Sequence, residues 1–372
     1  MKRATLLKDL PTLSTLINQV KKFAGASKIT LARLLKTLLD TVSLNDDASK
    51  EIELQVSNLV LAWSVAENKV FLKTKLTIRI AEINYGKGES RLAKEMIDPI
   101  IIDAQAIDDK PLLIESQLLE AKILCSWQDW GKAKASLSSC RAAGSKIYVA
   151  PALQAEIEAV SGIIHLAEKD YPIACSYFIE SLEGFHQQGD KAKAARQFRH
   201  LLISKILLDN MGECQSFVEG KHGEQYARFD PTSLALLDIF EAYKQKSLVA
   251  LSGALSGQGE SLKRDPVVFS QLETLYGQLL EKNIFKLILP YSRIELSRLS
   301  SKLQVAEEIV ERKLCEMILD QKLRGSIDQD RGILILLEEE KKSEIFESSL
   351  EIMRNMDSAV DALFLRAKKL EV

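Results

Sequence analysis

The breaks between the helical segments of this chain recur at an even interval, and this interval limits the fold more than any other feature. Trp130-Gly-Lys-Ala133 begins one helical segment after a short break, and Tyr171-Pro-Ile-Ala174 repeats the arrangement 41 positions later. A period between about 34 and 47 residues, with two helices in each unit, is typical of tetratricopeptide-like and HEAT-like solenoids. The sequence therefore predicts a stack of helix pairs.

The repeat weakens on both sides of these two units. The same interval leads to Glu89 and Leu92 in one direction, and to Gly212 and Gln215 in the other. These positions follow a predicted break, but they keep neither the aromatic residue nor the alanine. We interpret the repeat as degenerate. The alternative is a helical bundle without repeats, in which the even spacing of the breaks is a coincidence.

The composition favours long helices. The 372 residues include only eight prolines and 17 glycines, whereas architectures built from strands and turns use both residues often. Apolar residues recur at helical spacing in residues 31–39 and 112–123. No apolar run approaches the roughly 20 residues of a membrane span, and the first residues lack the apolar core of a signal peptide. We therefore expect neither a membrane segment nor a signal peptide.

The charge and the cysteines indicate an intracellular protein. A formal net charge of -2 gives no electrostatic reason to expect binding to nucleic acid or to an anionic membrane. The five cysteines are odd in number and widely spaced, which is typical of reduced thiols in the cytosol or nucleus.

The character of the sequence changes after Gly223. Two more helices are predicted at residues 233–243 and 267–281, separated by a Gly- and Ser-containing stretch at 252–261. A helix pair followed by a β-hairpin then indicates a winged helix. Its predicted parts are a strand-like run at 285–290, helices at 294–303 and 307–322, and a hairpin formed by 326–328 and 332–337.

The last segment, residues 343–370, predicts one long helix with an apolar seam. Its seam residues alternate three and four positions apart, as the a and d positions of a coiled coil do. Such a narrow seam usually meets partner helices, although packing back on its own domain is the alternative. The seam residues are Phe346, Ser349, Met353, Met356, Val360, Leu363, Ala367 and Leu370.

Several stretches together resemble the PCI-domain subunits of the 26S proteasome regulatory lid, and among them the non-ATPase subunit 11 family. They keep the family order and cover nearly the whole chain. Two departures stand out: the outermost repeat at the N-terminus is expected to be shortened or missing, and Ala306 stands where the family tends to offer a hydroxyl N-cap. The matching stretches are 112–122, 161–165, 177–180, 276–283, 290–294, 310–314, 317–320 and 366–370.

The resemblance implies a mainly α fold with three parts. These are a right-handed TPR-like α-solenoid at 1–222, a PCI domain at 223–342 whose winged helix occupies about 285–338, and a C-terminal bundle helix at 343–372. It also implies a non-catalytic structural subunit of the regulatory lid, in the cytoplasm and nucleus, within a hetero-oligomer. The implied partners are other PCI-domain lid subunits, the lid deubiquitinase module, the ATPase ring and the 20S core. The alternatives are a COP9 signalosome subunit and, less favoured, a translation-initiation scaffold.

The sequence lacks the motifs of an enzyme. Its four histidines form no H-x-H or H-E-x-x-H cluster, and His165, in an apolar helix, is predicted to be a satisfied core histidine. Cys214 and His222 are close enough in sequence to suggest a metal site or a thiol pair, but no second pair of ligands lies near them in the sequence. The glycines at 253, 257 and 259 lack the G-K-[ST] ending of a phosphate loop. We therefore predict no catalytic residue, no cofactor and no metal.

The candidate functional residues are interface residues. The second helix of the winged helix is rich in acidic residues, which argues against insertion into a DNA groove and favours docking to protein. The final strand is apolar on both faces, so one of them is expected to meet a partner. The predicted interface consists of Ile333 and Ile335 of this strand and Phe346, Met353, Met356, Val360, Leu363 and Leu370 of the last helix.

Overall fold

The computed structural model describes residues 70–226, 231–257, 266–329, 331–337 and 344–368, together with part of 54–64. The predicted helix at 31–39 lies outside the described residues, as does the expected shortening of the N-terminal repeat. Compact packing divides the chain into two units, one formed by 1–240 with 258–271 and the other by 241–257 with 272–372. Each unit is described by itself below.

Consecutive helices of the first unit pack against one another, and the first helices of successive pairs also touch. This is the contact pattern of a solenoid, as predicted. The helices are α1 (Val70–Gly86), α2 (Ser90–Ile107), α3 (Lys110–Ser126), α4 (Trp130–Gly144), α5 (Pro151–Ala167), α6 (Tyr171–Gln188), α7 (Lys191–Leu207), α8 (Met211–Val218) and α9 (Lys221–Tyr226), followed by α10 (Pro231–Lys244).

The repeat is more regular than the sequence suggested. The second helices α2, α4, α6 and α8 begin at intervals of 40, 41 and 40 residues. Their fourth residues are Ala93, Ala133, Ala174 and Cys214, which are small and fully buried. The assignments of Leu92 and Gln215 as equivalents were therefore wrong by one residue, because the interval of 41 does not hold on either side. The small residue is kept in every one of these four pairs.

The turn inside each pair also repeats. One residue in the left-handed region stands two positions before each second helix, and it ends the preceding helix. The first of these residues is Gly88, which adopts this conformation without steric cost. The other three are Gln128, Lys169 and Asp209, with φ between 62° and 67°. The same backbone turn is thus built from unrelated side chains.

Close helix contact explains two glycines within the pair α5 and α6. A Cβ atom at Gly162 would lie 2.5 Å from the Phe178 ring, and one at Gly184 would lie 2.8 Å from the Cβ of Ala155. Both distances are too short for real atoms, so the two helices can approach this closely only with glycine at these positions.

An ion-pair ladder joins the first helices of three successive pairs. Glu156 on α5 accepts hydrogen bonds from Lys122 on α3 at 2.6 Å and from Lys193 on α7 at 2.9 Å. Burial acts to raise the pKa of Glu156, but the two ammonium groups outweigh it and hold the pKa at about 2. The ladder therefore ties neighbouring pairs together at neutral pH.

The second unit contains the winged helix. Its elements are α11 (Leu248–Gly257), α12 (Pro266–Ile288), β1 (Arg293–Glu295), α13 (Leu296–Leu303), α14 (Glu307–Leu319), β2 (Gly325–Asp328), β3 (Ile333–Leu336) and α15 (Glu344–Lys368). The residues of α12 up to 271 are assigned to the first unit. The two helices, the hairpin and the long last helix were all predicted, and the structure confirms them.

Two local predictions were wrong. The run at 285–290 was predicted as a strand, but most of it forms the end of α12, where Leu280, Ile284 and Ile288 are buried at helical spacing. The stretch at 252–261 was predicted as a break, but its first part belongs to α11, which ends at Gly257. A short apolar run is compatible with a strand or a buried helix, and its periodicity alone does not separate the two.

The sheet has three strands in the order β1-β3-β2, and both pairings are antiparallel. Sequence reasoning missed β1, so it did not foresee that β3 is the central strand. Leu334 of β3 is completely buried and meets Ile294 of β1 and Ile327 of β2 in register. None of the helices in the described residues is both long and apolar enough to cross a membrane.

Candidate protein-docking surfaces

The central strand β3 presents two unlike faces. Leu334 points into the winged-helix core, whereas Ile333 and Ile335 lie on the other face and are only half-buried. Because β1 and β2 already pair with β3, its backbone is not free to pair with a partner. An edge contact through the hairpin would therefore use β2, and the predicted interface residues would meet a partner through their side chains.

The last helix, α15, exposes its apolar seam along its whole length. The side chains of Phe346, Met353, Met356, Val360 and Leu363 are all between 62% and 66% exposed. Leu370 lies outside the described residues. At about 1.5 Å per residue, the 25 residues of α15 extend roughly 38 Å. These five residues are exposed and do not pack back on their own domain, which was the alternative.

The exposed seam is wider than predicted. Leu350 and Phe364 each follow a seam residue directly and are also exposed, so two of the three e positions are apolar, while the third is Asp357. A stripe of this width is typical of a helix that packs into a bundle, whereas a two-stranded coiled coil needs only a and d. These apolar residues are visible in the sequence, but the strict a and d pattern does not include them.

A further exposed surface lies between α12 and α14 of the second unit. Phe285, Leu289 and Met317 line a groove of about 460 Å³, and Lys286 and Lys322 stand at its rim. Phe285 and Leu289 are exposed. Both residues belong to the run at 285–290 whose pattern predicts a strand, so the sequence gives no sign of this surface.

The acidic second helix of the winged helix is confirmed as α14. Val310, Leu314 and Met317 form its buried face, while its acidic side chains include Glu307 and Glu308 in the first turn. Ala306 caps the helix without a side-chain hydrogen bond, in agreement with the missing hydroxyl noted in the sequence.

The prediction for His165 was wrong. Its side chain is half-buried, and its Nδ1 atom is buried without a hydrogen-bond partner. Two carboxylates lie just beyond hydrogen-bond distance of this atom, that of Glu168 at 3.7 Å and that of Asp170 at 3.8 Å. Cys214 is buried in the solenoid core, and burial raises the pKa of its thiol to about 11, so it stays a protonated core residue at neutral pH.

A helical-repeat stack, a winged helix and a long exposed terminal helix together define a PCI-domain subunit. The family model for the PCI domain matches residues 255–338. The model for the 26S proteasome regulatory subunit RPN6 N-terminal domain matches residues 5–87.

Curated relatives agree with these matches. The chain is 33% identical to the probable 26S proteasome regulatory subunit rpn6 of Schizosaccharomyces pombe, over 94% of this chain and 83% of that protein. It is 32% identical to the 26S proteasome non-ATPase regulatory subunit 11 homolog of Arabidopsis thaliana, over 94% of this chain and 82% of that protein. It is 31% identical to the 26S proteasome regulatory subunit RPN6 of Saccharomyces cerevisiae, over 92% of this chain and 80% of that protein. The chain belongs to the Rpn6 family, also called non-ATPase regulatory subunit 11, which confirms the resemblance seen in the sequence.

Proposed function

We propose that this chain is a non-catalytic structural subunit of the 26S proteasome regulatory lid. The relatives are named as proteasome regulatory subunits, and this supports the lid over the COP9 signalosome and a translation-initiation complex. The protein acts in the cytoplasm and nucleus, where it holds other PCI-domain subunits, the deubiquitinase module and the ATPase ring in place for ubiquitin-dependent degradation. The solenoid offers an extended surface that reaches toward the 20S core.

The exposed seam of α15 carries the proposal. Burying a large apolar side chain contributes about 1.5–3 kcal/mol, so the five exposed seam residues together offer roughly 8–15 kcal/mol before the entropic cost of association. The exposed Met353 and Met356 adapt to more than one partner helix because the thioether side chain is flexible. A helix of this kind gains its burial only in a bundle with other subunits.

The experiment places two carboxylates in the seam, by the substitutions Met353→Asp and Val360→Asp. A matched control adds the same charge to the other face of α15, by Asn355→Asp and Ser358→Asp. Tagged chains are expressed in cells, and the complexes that co-purify with them are identified by mass spectrometry. We expect the seam variant to lose its lid partners and the control to keep them.

The composition of the wild-type complex also separates the alternatives. Subunits of the ATPase ring accompany a proteasome lid, whereas they do not accompany the COP9 signalosome. Recovery of wild-type chain with signalosome or initiation-factor subunits alone would contradict the proposal. Hydrolysis of ATP or of ubiquitin chains by the purified chain would contradict its non-catalytic part.

A further inference from the structure

The turn between α5 and α6 brings three metal-binding side chains together. His165 lies in the last turn of α5, Glu168 is its C-cap, and Asp170 is the N-cap of α6. One ligand atom from each of these residues lies within 4.8 Å of the other two. No other group of this kind is found in the described ranges between 54 and 368. Lys169, in the left-handed conformation, folds the chain back so that both carboxylates face the imidazole.

The distances suit a small divalent ion. Zn²⁺ binds histidine nitrogen and carboxylate oxygen at about 2.0–2.2 Å, and tetrahedral geometry then separates two ligand atoms by about 3.4 Å. His165 Nδ1 lies 3.7 Å from Glu168 Oε2 and 3.8 Å from Asp170 Oδ2. All three ligand atoms lie within 4.8 Å of one another, so rotation of the two exposed carboxylate side chains would bring them into coordination distance, with the fourth position left for water.

The buried Nδ1 atom is the second observation. It is shielded from solvent and has no hydrogen-bond partner, although a buried polar atom of this kind costs free energy unless something binds it. The Tyr177 ring stacks on the imidazole at 5.5 Å between ring centres and holds its orientation. A fixed ring that directs an unpaired nitrogen toward two carboxylates is a preformed set of ligands.

The turn itself does not require these residues. The equivalent turns of the neighbouring pairs have the same residue in the left-handed region, but none of them carries all three side chains. An aspartate before the second helix is shared with one neighbour, while the histidine and the glutamate are not. The corresponding residues are Asn84, Lys87 and Glu89; Leu124, Trp127 and Asp129; and Lys205, Leu208 and Asn210.

We propose that this turn binds one divalent transition-metal ion, with His165, Glu168 and Asp170 as the protein ligands. An imidazole nitrogen with two carboxylates favours Zn²⁺ and related ions over Mg²⁺ and Ca²⁺, which prefer oxygen ligands alone. The ion joins the end of α5 to the start of α6 and so stiffens one pair of the solenoid. This inference does not depend on the proposed role in the lid.

Lys134 of α4 competes with the ion for one ligand. Its ammonium group lies 2.8 Å from Oε1 and 2.7 Å from Oε2 of Glu168. Binding of a metal ion therefore requires Glu168 to share or give up this contact. It follows that removal of the lysine charge should strengthen metal binding, an effect opposite in sign to the loss of a ligand.

The test is a Zn²⁺ titration of the full chain against a competing chromophoric chelator. We expect one equivalent to bind to the wild type, and its affinity to fall at least about tenfold in His165→Gln and in Asp170→Asn. Lys134→Met should bind more tightly than the wild type. Asp129→Asn makes the same change as Asp170→Asn at the equivalent turn of the preceding pair, and it should bind as the wild type does.

Thermal unfolding gives an independent readout. Zn²⁺ should raise the midpoint of the wild type and of Asp129→Asn, but not that of His165→Gln, because only a folded site binds the ion. Equal Zn²⁺ binding by the wild type and His165→Gln would overturn the proposal, since the ion would then bind elsewhere. Absence of Zn²⁺ binding to the wild type would also overturn it, and the two carboxylates would then be only polar neighbours of the imidazole.

Discussion

Substitution of Glu156 by glutamine removes the charge on which the ladder of α3, α5 and α7 depends. The change keeps the size of the side chain, but it leaves the ammonium groups of Lys122 and Lys193 without their shared carboxylate. We expect Glu156→Gln to lower the stability of the first unit at neutral pH.

The pKa of Glu156 gives the magnitude. A decrease from 4.5 to about 2 in the folded chain corresponds to roughly 3 kcal/mol of stabilisation. Because 25% of the side chain is exposed, solvent screening reduces this figure, and we expect about 2 kcal/mol. For a unit of this size, such a loss lowers the thermal midpoint by roughly 4–8 °C.

The pH dependence has a definite sign. The carboxyl group binds protons more weakly in the folded chain, so its contribution is complete above the unfolded pKa of 4.5 and disappears as the pH falls toward about 2. Thermal unfolding followed by circular dichroism should therefore show a large difference between the wild type and Glu156→Gln at neutral pH. The difference should shrink steadily below about pH 4.5.

Glu158 on the same helix provides the control. Burial raises its pKa, so its charge is disfavoured in the folded chain and Glu158→Gln should cause no comparable loss. Equal losses in the two variants would refute the reasoning, because the effect would then come from the helix and not from the ladder. A loss of thermal stability in Glu156→Gln that stays the same at every pH would refute it as well.

Four further substitutions test local features. Gly162→Ala should lower stability, since overpacking against the Phe178 ring costs about 1–3 kcal/mol and outweighs the gain in helix propensity of up to about 1 kcal/mol; urea unfolding measures the net effect, and a stabilised variant would contradict the close contact. Gln128→Gly should stabilise the first unit by up to about 1 kcal/mol, because φ at this position is 63°; an unchanged urea midpoint would argue against strain there. Ala306→Ser should raise the free energy of unfolding by about 1 kcal/mol, because the serine hydroxyl would cap α14. Amide exchange in the first turn of α14 should then be slower than in the wild type. Ile335→Lys should weaken lid assembly while the winged helix stays folded; unfolding of the isolated chain would show that the side chain belongs to the core.

The sequence predicted the parts of the fold that rest on long periodic patterns. The seam of α15 extends over more than three heptads, and its helical assignment was right to within a few residues. The hairpin was also found, because turn residues at 328–332 directly precede the apolar run that forms β3. These signals are local, and they need no knowledge of what packs against them.

The parts that sequence reasoning missed depend on tertiary contacts. The three-residue strand β1 carries too little pattern to be recognised, and it exists because β3 provides a partner on that side. The end of α12 was mistaken for a strand, since Phe285 and Leu289 are apolar but exposed and obscure the helical spacing of the buried residues. The unpaired nitrogen of His165 was hidden for a similar reason: an apolar helix says nothing about which acceptors a turn brings near it.

Deletion of residues 343–372 tests the central claim most directly. Because the described side chains of α15 from 346 to 368 are all exposed, the helix contributes little burial to the isolated chain. The truncated chain should therefore unfold within a few degrees of the full chain in a thermal scan, and it should fail to enter the lid when lid subunits are co-expressed and the complex is isolated by size. A truncated chain that is already unfolded in isolation, or that enters the lid as the full chain does, would contradict the account of α15 as an assembly element.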